Sequence, residues 1–470
     1  MKLENHMQQG CQFLDQDPQV VEVDDRKSLV SKGKTEDEKM SSNRFSASFN
    51  VINSMMGSGI IGLPYSLKQA GFPLGIILLL VVGCITDYSI ILLIKGGHLS
   101  GADSYQSLVN RTFGFTGYVV LSVLQFVYPF IAMVSYNIIA GDTLTKVFQR
   151  IPGVGPNSLL ANRKFVILAF TIFLTLPLSL LRNVAKLGKV SLLSVVFAVL
   201  ILTIVIVRLV TFGPSVPSTQ DAWAFAQPNA IQAIGVVAFA FVCHHNSFLI
   251  YGSLRDPSLN NWSCITHVST FVAVFISTLF AASAYATFTG YTQGDILENY
   301  CKTDDLATLG RFCYGMCSVL SFPIECFVTR EVIMHTFFSG PLTTLSHAIV
   351  TVMVIAAVCS LSLVYDCLGI VLELNGVLSA TPLIFIVPSA CYLKLSQGHW
   401  YQIDKLFSCV ILIAGLLIMT TGLVMTILNP QGCSHGKEMA YCMSSNVTVD
   451  NGTLPSSSAS QSSIFTGNML

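Results

Sequence analysis

Charge is what this chain has least of. Asp, Glu, Lys and Arg make up 11% of its 470 residues, against about 25% in an ordinary soluble domain. The apolar fraction is 52% and the mean hydropathy is +0.65, so too little polar surface exists for a soluble protein of this size. The same shortage excludes a disordered chain and a nucleic-acid binder, which needs a cationic face. With 25 basic and 25 acidic residues, no overall field recruits an anionic partner. Metal-site patterns are also missing. The 14 cysteines are scattered singly through apolar runs, as small buried hydrophobes are. Cys313 and Cys317 lie one helical turn apart, but no His or carboxylate set completes a zinc site. The first 44 residues lack the apolar core of a signal peptide.

What charge there is sits unevenly. Residues 1–44 hold 16 of the 50 charged side chains and show no periodicity, which predicts a disordered, regulatory tail. A helix needs about 20 apolar residues to cross a bilayer core of about 30 Å. Eleven such windows follow, at 45–66, 72–95, 115–141, 165–182, 190–212, 229–251, 263–289, 308–328, 345–365, 368–392 and 406–428. The reading is an all-α polytopic membrane protein: an N-tail over 1–44, a transmembrane domain over 45–428 and a C-terminal tail over 429–470. Lys and Arg concentrate in cytoplasmic loops. An N-in arrangement puts 16 of them inside and 8 outside, which predicts a cytosolic N-terminus and an external or lumenal C-terminus. In that tail Cys433 and Cys442 can pair, with Cys301 as a third external thiol. Asn446 and Asn451 are then usable glycosylation sites, whereas the sequons at Asn110 and Asn261 face the cytosol.

Two spans carry helix-breaking residues. The first reads Asn53-Ser-Met-Met-Gly-Ser-Gly-Ile-Ile-Gly-Leu-Pro64. Each Gly costs a helix about 1 kcal/mol relative to Ala, and Pro64 removes a backbone donor. Close packing through small residues is the plainer reading. The sixth span, five later, is interrupted in turn by Cys243-His-His-Asn246. Paired interruptions in matching places are how transporters build a midplane site. An unwound segment exposes N–H groups that suit a carboxylate and C=O groups that suit an ammonium or a cation. A zwitterionic α-amino acid presents both. The amides of Gly57, Ser58 and Gly59 are the expected carboxylate contacts. The carbonyls of Phe241, Val242 and Cys243 are the expected ammonium contacts, with His244 beside them. Tyr136 and Phe239 are candidates for shaping side-chain selectivity.

These residues resemble the solute carrier 38 family of sodium-coupled neutral amino-acid transporters, within the amino-acid/auxin permease superfamily, over about 44–428. Further landmarks are Leu320-Ser-Phe-Pro323 with Arg330, Tyr251, and the run from Gly376 to Pro388. The resemblance implies a LeuT-like five-plus-five inverted repeat with discontinuous helices 1 and 6. It also implies a Na⁺ site between spans 1 and 8. Asn53 matches the family's span 1 sodium residue, with Met56 one turn on. Ser321 matches its span 8 hydroxyl, and Ser318 is a second hydroxyl one turn earlier. The chain departs from the family in its short loop at 213–228, which has no Cys and no sequon, and in Glu325 and His245.

Asp87, Glu325 and Glu373 fall inside predicted spans, where an acid costs roughly 2.5–3.5 kcal/mol on insertion scales and often marks an ion path. Asp87 reads as a tie to a neighbouring helix. Glu325 with His244 reads as a proton-coupling candidate. The expected function is secondary-active, Na⁺-coupled transport of small neutral L-amino acids by alternating access, with Na⁺ as co-transported ion and no organic cofactor. The plasma membrane is the expected location, a lysosomal or endosomal membrane the alternative. Rivals are a proton-coupled exchanger of vacuolar type and a receptor that binds amino acid without moving it. An enzyme is not expected, since no nucleophile or metal set accompanies the two histidines.

One prediction tests the orientation. Endoglycosidase treatment should shift the wild-type protein on a gel, and Asn446→Gln with Asn451→Gln should remove the shift. Sugar on Asn110 or Asn261 would reverse the topology.

Overall fold

Backbone groups in hydrocarbon have no water to bond, which drives an apolar chain into helices. The computed structural model describes residues 43–57, 59–155, 157–181, 184–338, 343–397, 399, 401–428 and 439–444, and of 184–190 and 443–444 only the backbone. Its described elements are all helical. They are α1 (Arg44–Met55), α2 (Leu63–Ala70), α3 (Phe72–Ser100), α4 (Tyr105–Gln149), α5 (Arg163–Phe170), α6 (Leu176–Ser179), α7 (Val184–Thr211), α8 (Ala230–Phe241), α9 (His244–Gly252), α10 (Leu259–Phe288), α11 (Asp305–Phe337), α12 (Thr344–Val364), α13 (Leu368–Asn375), α14 (Val387–Leu395), α15 (Ile403–Leu428) and α16 (Ala440–Ser444).

Among the described residues nine helical stretches are long and apolar enough to cross a membrane by length and composition. The other two expected spans are interrupted. The first is divided between α1 and α2. The fourth runs from α5 through a π-turn at Thr171–Thr175 into the short α6. The tenth is also irregular, with π-turns at Gly376–Ala380 and Pro382–Ile386 between α13 and α14. Gly114 in α4 has φ 73°, a left-handed conformation that glycine adopts without steric penalty. It separates a short leading helix from the long one, whose start matches the expected 115.

Side chains close the helix starts. Ser104, Ser258, Asp304 and Thr343 accept from the backbone N–H three residues on in α4, α10, α11 and α12. Such caps are typically worth about 1 kcal/mol each. Small residues let helices touch. A Cβ on Gly376 would lie 1.9 Å from the carbonyl oxygen of Gly235, so α8 and the π-turn at Gly376–Ala380 meet backbone to backbone. α11 lies at the centre, packed on α4 and α7, and α10 lies against α3, α1 and α7.

The N-tail lies outside the described residues apart from Asn43 and Arg44. Arg44 bonds Asn261 at the start of α10. Of the C-terminal tail only 439–444 is described, and it packs at the opposite end of α10. There Cys442 is bonded to Cys301, with their Cα atoms 5.5 Å apart. This corrects the expected Cys433–Cys442 pair. Tyr441 docks on Asn299 and so carries its neighbour onto the loop cysteine, a partner 141 residues away. Cys433, Asn446 and Asn451 lie outside the described residues, as does Ser58.

Candidate functional site

α1 stops at Met55, and the chain resumes in a tight turn at Ile60–Gly62 before α2, where Pro64 occupies the second position. α8 stops at Phe241. Val242 is extended, with φ −72° and ψ 121°, and α9 restarts at His244. Each stop strands carbonyls on one side and N–H groups on the other. The two interruptions touch. A Cβ on Gly59 would fall 2.4 Å from Ala240 Cα, and one on Gly57 would fall 2.2 Å from Tyr136 Oη. Glycine is therefore required for the backbone to pass so close. Tyr314 of α11 donates to the carbonyl of Gly57 (3.1 Å), and Tyr128 of α4 to that of Phe239 (3.4 Å). Phe241, Val242, Cys243 and His244 are at most 1% exposed. The crossing thus gathers Gly57, Gly59 and the end of α8 into one buried place.

Beside it lies a cluster of oxygens. Ser321 of α11 donates to Asn53 Oδ1 (3.2 Å), and Asn53 Nδ2 donates to Ser191 Oγ of α7 (3.4 Å). Ser194 Oγ is 3.3 Å from Ser321 Oγ. Ser318 is buried, and its hydroxyl has no partner among the described residues. Met56, also buried, is the residue at the C-terminal cap of α1. Neutral oxygen donors of this kind suit a hard cation. Ser191 and Ser194 are not among the residues expected from the sequence. Two hydroxyls one turn apart in an otherwise apolar helix were the available signal.

The buried acids sort differently. Glu325 is 3% exposed, and its Oε2 lies 3.0 Å from Nε2 of His245, not of His244. The Tyr128 ring covers His245 at 4.7 Å between centroids. His244 turns to α3, with Nε2 2.7 Å from Ser89 Oγ. Adjacent residues of a helix point about 100° apart at 3.6 residues per turn, so the two histidines meet different neighbours. Asp87 ties α3 to α10 through His267 Nδ1 (2.7 Å). Glu373 accepts from Thr426 of α15 (2.6 Å).

The family model described as transmembrane amino acid transporter protein matches residues 40–428. A Bos taurus protein named "Putative sodium-coupled neutral amino acid transporter 11" is 62% identical over 432 residues, covering 91% of this chain and 92% of that protein. A solved manganese transporter of Eremococcus coleocola, in complex with an aromatic bis-isothiourea substituted compound, aligns with a TM-score of 0.58 at 14% identity, covering 90% of this chain and 93% of its own. MhsT in complex with L-phenylalanine aligns with a TM-score of 0.54 at 14% identity, covering 81% and 99%. These neighbours are LeuT-fold transporters, and the chain shares that fold.

Gly57→Ala should destabilise the purified protein by about 1–3 kcal/mol, the usual range for an overpacked core. Tyr136→Phe, which removes the nearest atom, should recover most of that loss in the double variant. Thermal unfolding of the four proteins checks this; equal losses with and without Tyr136→Phe would place the strain elsewhere.

Proposed function

Because the chain belongs to the transmembrane amino acid transporter family, a family of transporters and not enzymes, we propose that it moves neutral L-amino acids across a membrane by secondary-active, Na⁺-coupled transport. The observation that carries this reading is the crossing of two interrupted helices beside a cluster of neutral oxygens. In the proposed bound state the substrate carboxylate meets the amides of Gly57, Ser58 and Gly59. Its ammonium meets carbonyls at Phe241, Val242 and Cys243. Na⁺ is held by Asn53, Met56, Ser318 and Ser321, which join α1 to α11. A cation there draws the broken arm onto α11, and its departure frees the arm. That is how ion binding biases one of two access states. The proposed arrangement has eleven spans, a cytosolic N-terminus and an external C-terminus, in the plasma membrane.

One observation favours a second reading. A carboxylate buried at the breaks and facing a histidine at 3.0 Å is the kind of pair that often marks an ion or proton path inside a membrane. Proton coupling through His245 and Glu325 is therefore the alternative to Na⁺.

Uptake of a radiolabelled amino-acid panel into proteoliposomes, with and without a Na⁺ gradient and at acidic and alkaline pH, separates the readings. Na⁺-driven accumulation is expected. Asn53→Ala should raise the Na⁺ concentration for half-activation about tenfold, the equivalent of about 1.4 kcal/mol from one lost ligand. Accumulation driven by a pH gradient alone would replace Na⁺ by the proton, and binding without accumulation would make the protein a receptor.

A further inference from the structure

The connection from α10 to α11 is a loop in conformation but is buried like a core. Thr292, Ile296 and Asn299 are 0% exposed. Connections usually run over the surface because buried backbone groups need partners, and here the partners come from two sides. Lys68 in the last turn of α2 donates to the carbonyl of Thr292 (3.0 Å). Facing it, Arg311 of α11 donates to the carbonyls of Leu297 (3.1 Å), Tyr300 (2.6 Å) and Cys301 (3.3 Å). Lys146 of α4 pairs with Glu298 (2.6 Å). Burial, with Glu298 and Asp142 nearby, pushes the Asp295 carboxyl up to about 7. The loop therefore bridges α2, which leaves the first break, and the α4 and α11 helices whose tyrosines reach the two breaks. Relative motion of these arms has to move it.

The far end of the chain fastens the same loop. Tyr441 Oη donates to the carbonyl of Asn299 (2.7 Å). Its ring stacks on Phe288 at 6.1 Å between centroids and meets Tyr291 edge-on at 5.8 Å. Gln293 Nε2 lies 3.6 Å from Met439 Sδ, and Cys442 is joined to Cys301. A covalent bond, a hydrogen bond and an aromatic seat thus converge on residues 288–301 from a segment of four residues.

We propose that residues 439–442 are a strap that holds the 289–301 loop seated over one mouth of the substrate path, with Tyr441 and Cys442 as positioning residues for transport. This rests on the transport reading above. Contacts made only with the seated loop lower the population of the state open at that mouth, and releasing them raises it.

The test uses the full-length protein, purified and in proteoliposomes, with a water-soluble phosphine that does not cross membranes. The phosphine takes the oxygen of a water molecule to become phosphine oxide. The two protons go to the two sulfurs, which end as thiols. Hydrogen exchange of peptides covering 289–301 should quicken at least about threefold on reduction, with α12 unchanged. Cys442→Ser should exchange at the faster rate without phosphine and respond no further. With the loop released, KM for amino acid presented at that mouth should fall about two- to threefold with no loss of maximal rate. Unchanged exchange after complete reduction would overturn the strap. Faster exchange with unchanged KM would overturn its part in gating. If the wild type accumulates no amino acid, the transport reading fails, while the exchange arm still decides whether the tail holds the loop.

Discussion

A backbone N–H or C=O left unpaired in hydrocarbon costs several kcal/mol, and the rest of this structure follows from that penalty. Most of the chain meets it with helices. Where α1 and α8 stop, helical pairing fails and other groups have to supply it. Tyrosines from α4 and α11 bond carbonyls at the two breaks, and the backbones approach until glycine is the residue that fits. The groups that remain at the crossing are those proposed above to meet a carboxylate and an ammonium. In the proposed reading, binding comes from interrupted helices, with little need for charged side chains.

The few charges inside the helices divide by what they meet. Asp87 with His267 and Glu373 with Thr426 tie one helix to the next, and Arg311 pins a loop to α11. His245 and Glu325 are different, because their pair spans the second break and the central helix one turn from Ser321. A group at that place lies beside both the breaks and the oxygen cluster, which is why it is proposed as the alternative to Na⁺.

Much of this was legible before any coordinates. Gly57 and Gly59 lie in the first interruption, with Pro64 opening α2 after it, and the His-His-Asn run opens α9 directly after the second at Val242–Cys243, so both interruptions are flagged in a linear reading. Asn53 and Ser321 were paired by resemblance, and they lie 3.2 Å apart. What escaped depended on direction. Nothing local distinguishes His244 from His245, yet one faces Ser89 and the other Glu325. Ser191 and Ser194 look like ordinary small residues until α7 is placed against α1 and α11. Cys442 looked closest to Cys433, but docking of Tyr441 selected Cys301.

By itself the sequence determined that the chain is a helical membrane protein, that its first and sixth spans are interrupted and which of its atoms are oxygen donors. Those properties depend on composition and on the near-neighbour chemistry of Gly, Pro and polar side chains. Tertiary structure decided which donors share a site, which partner each buried acid meets and where the tail is fastened. Each of these joins residues more than 50 positions apart, and such distances close only when helices pack face to face.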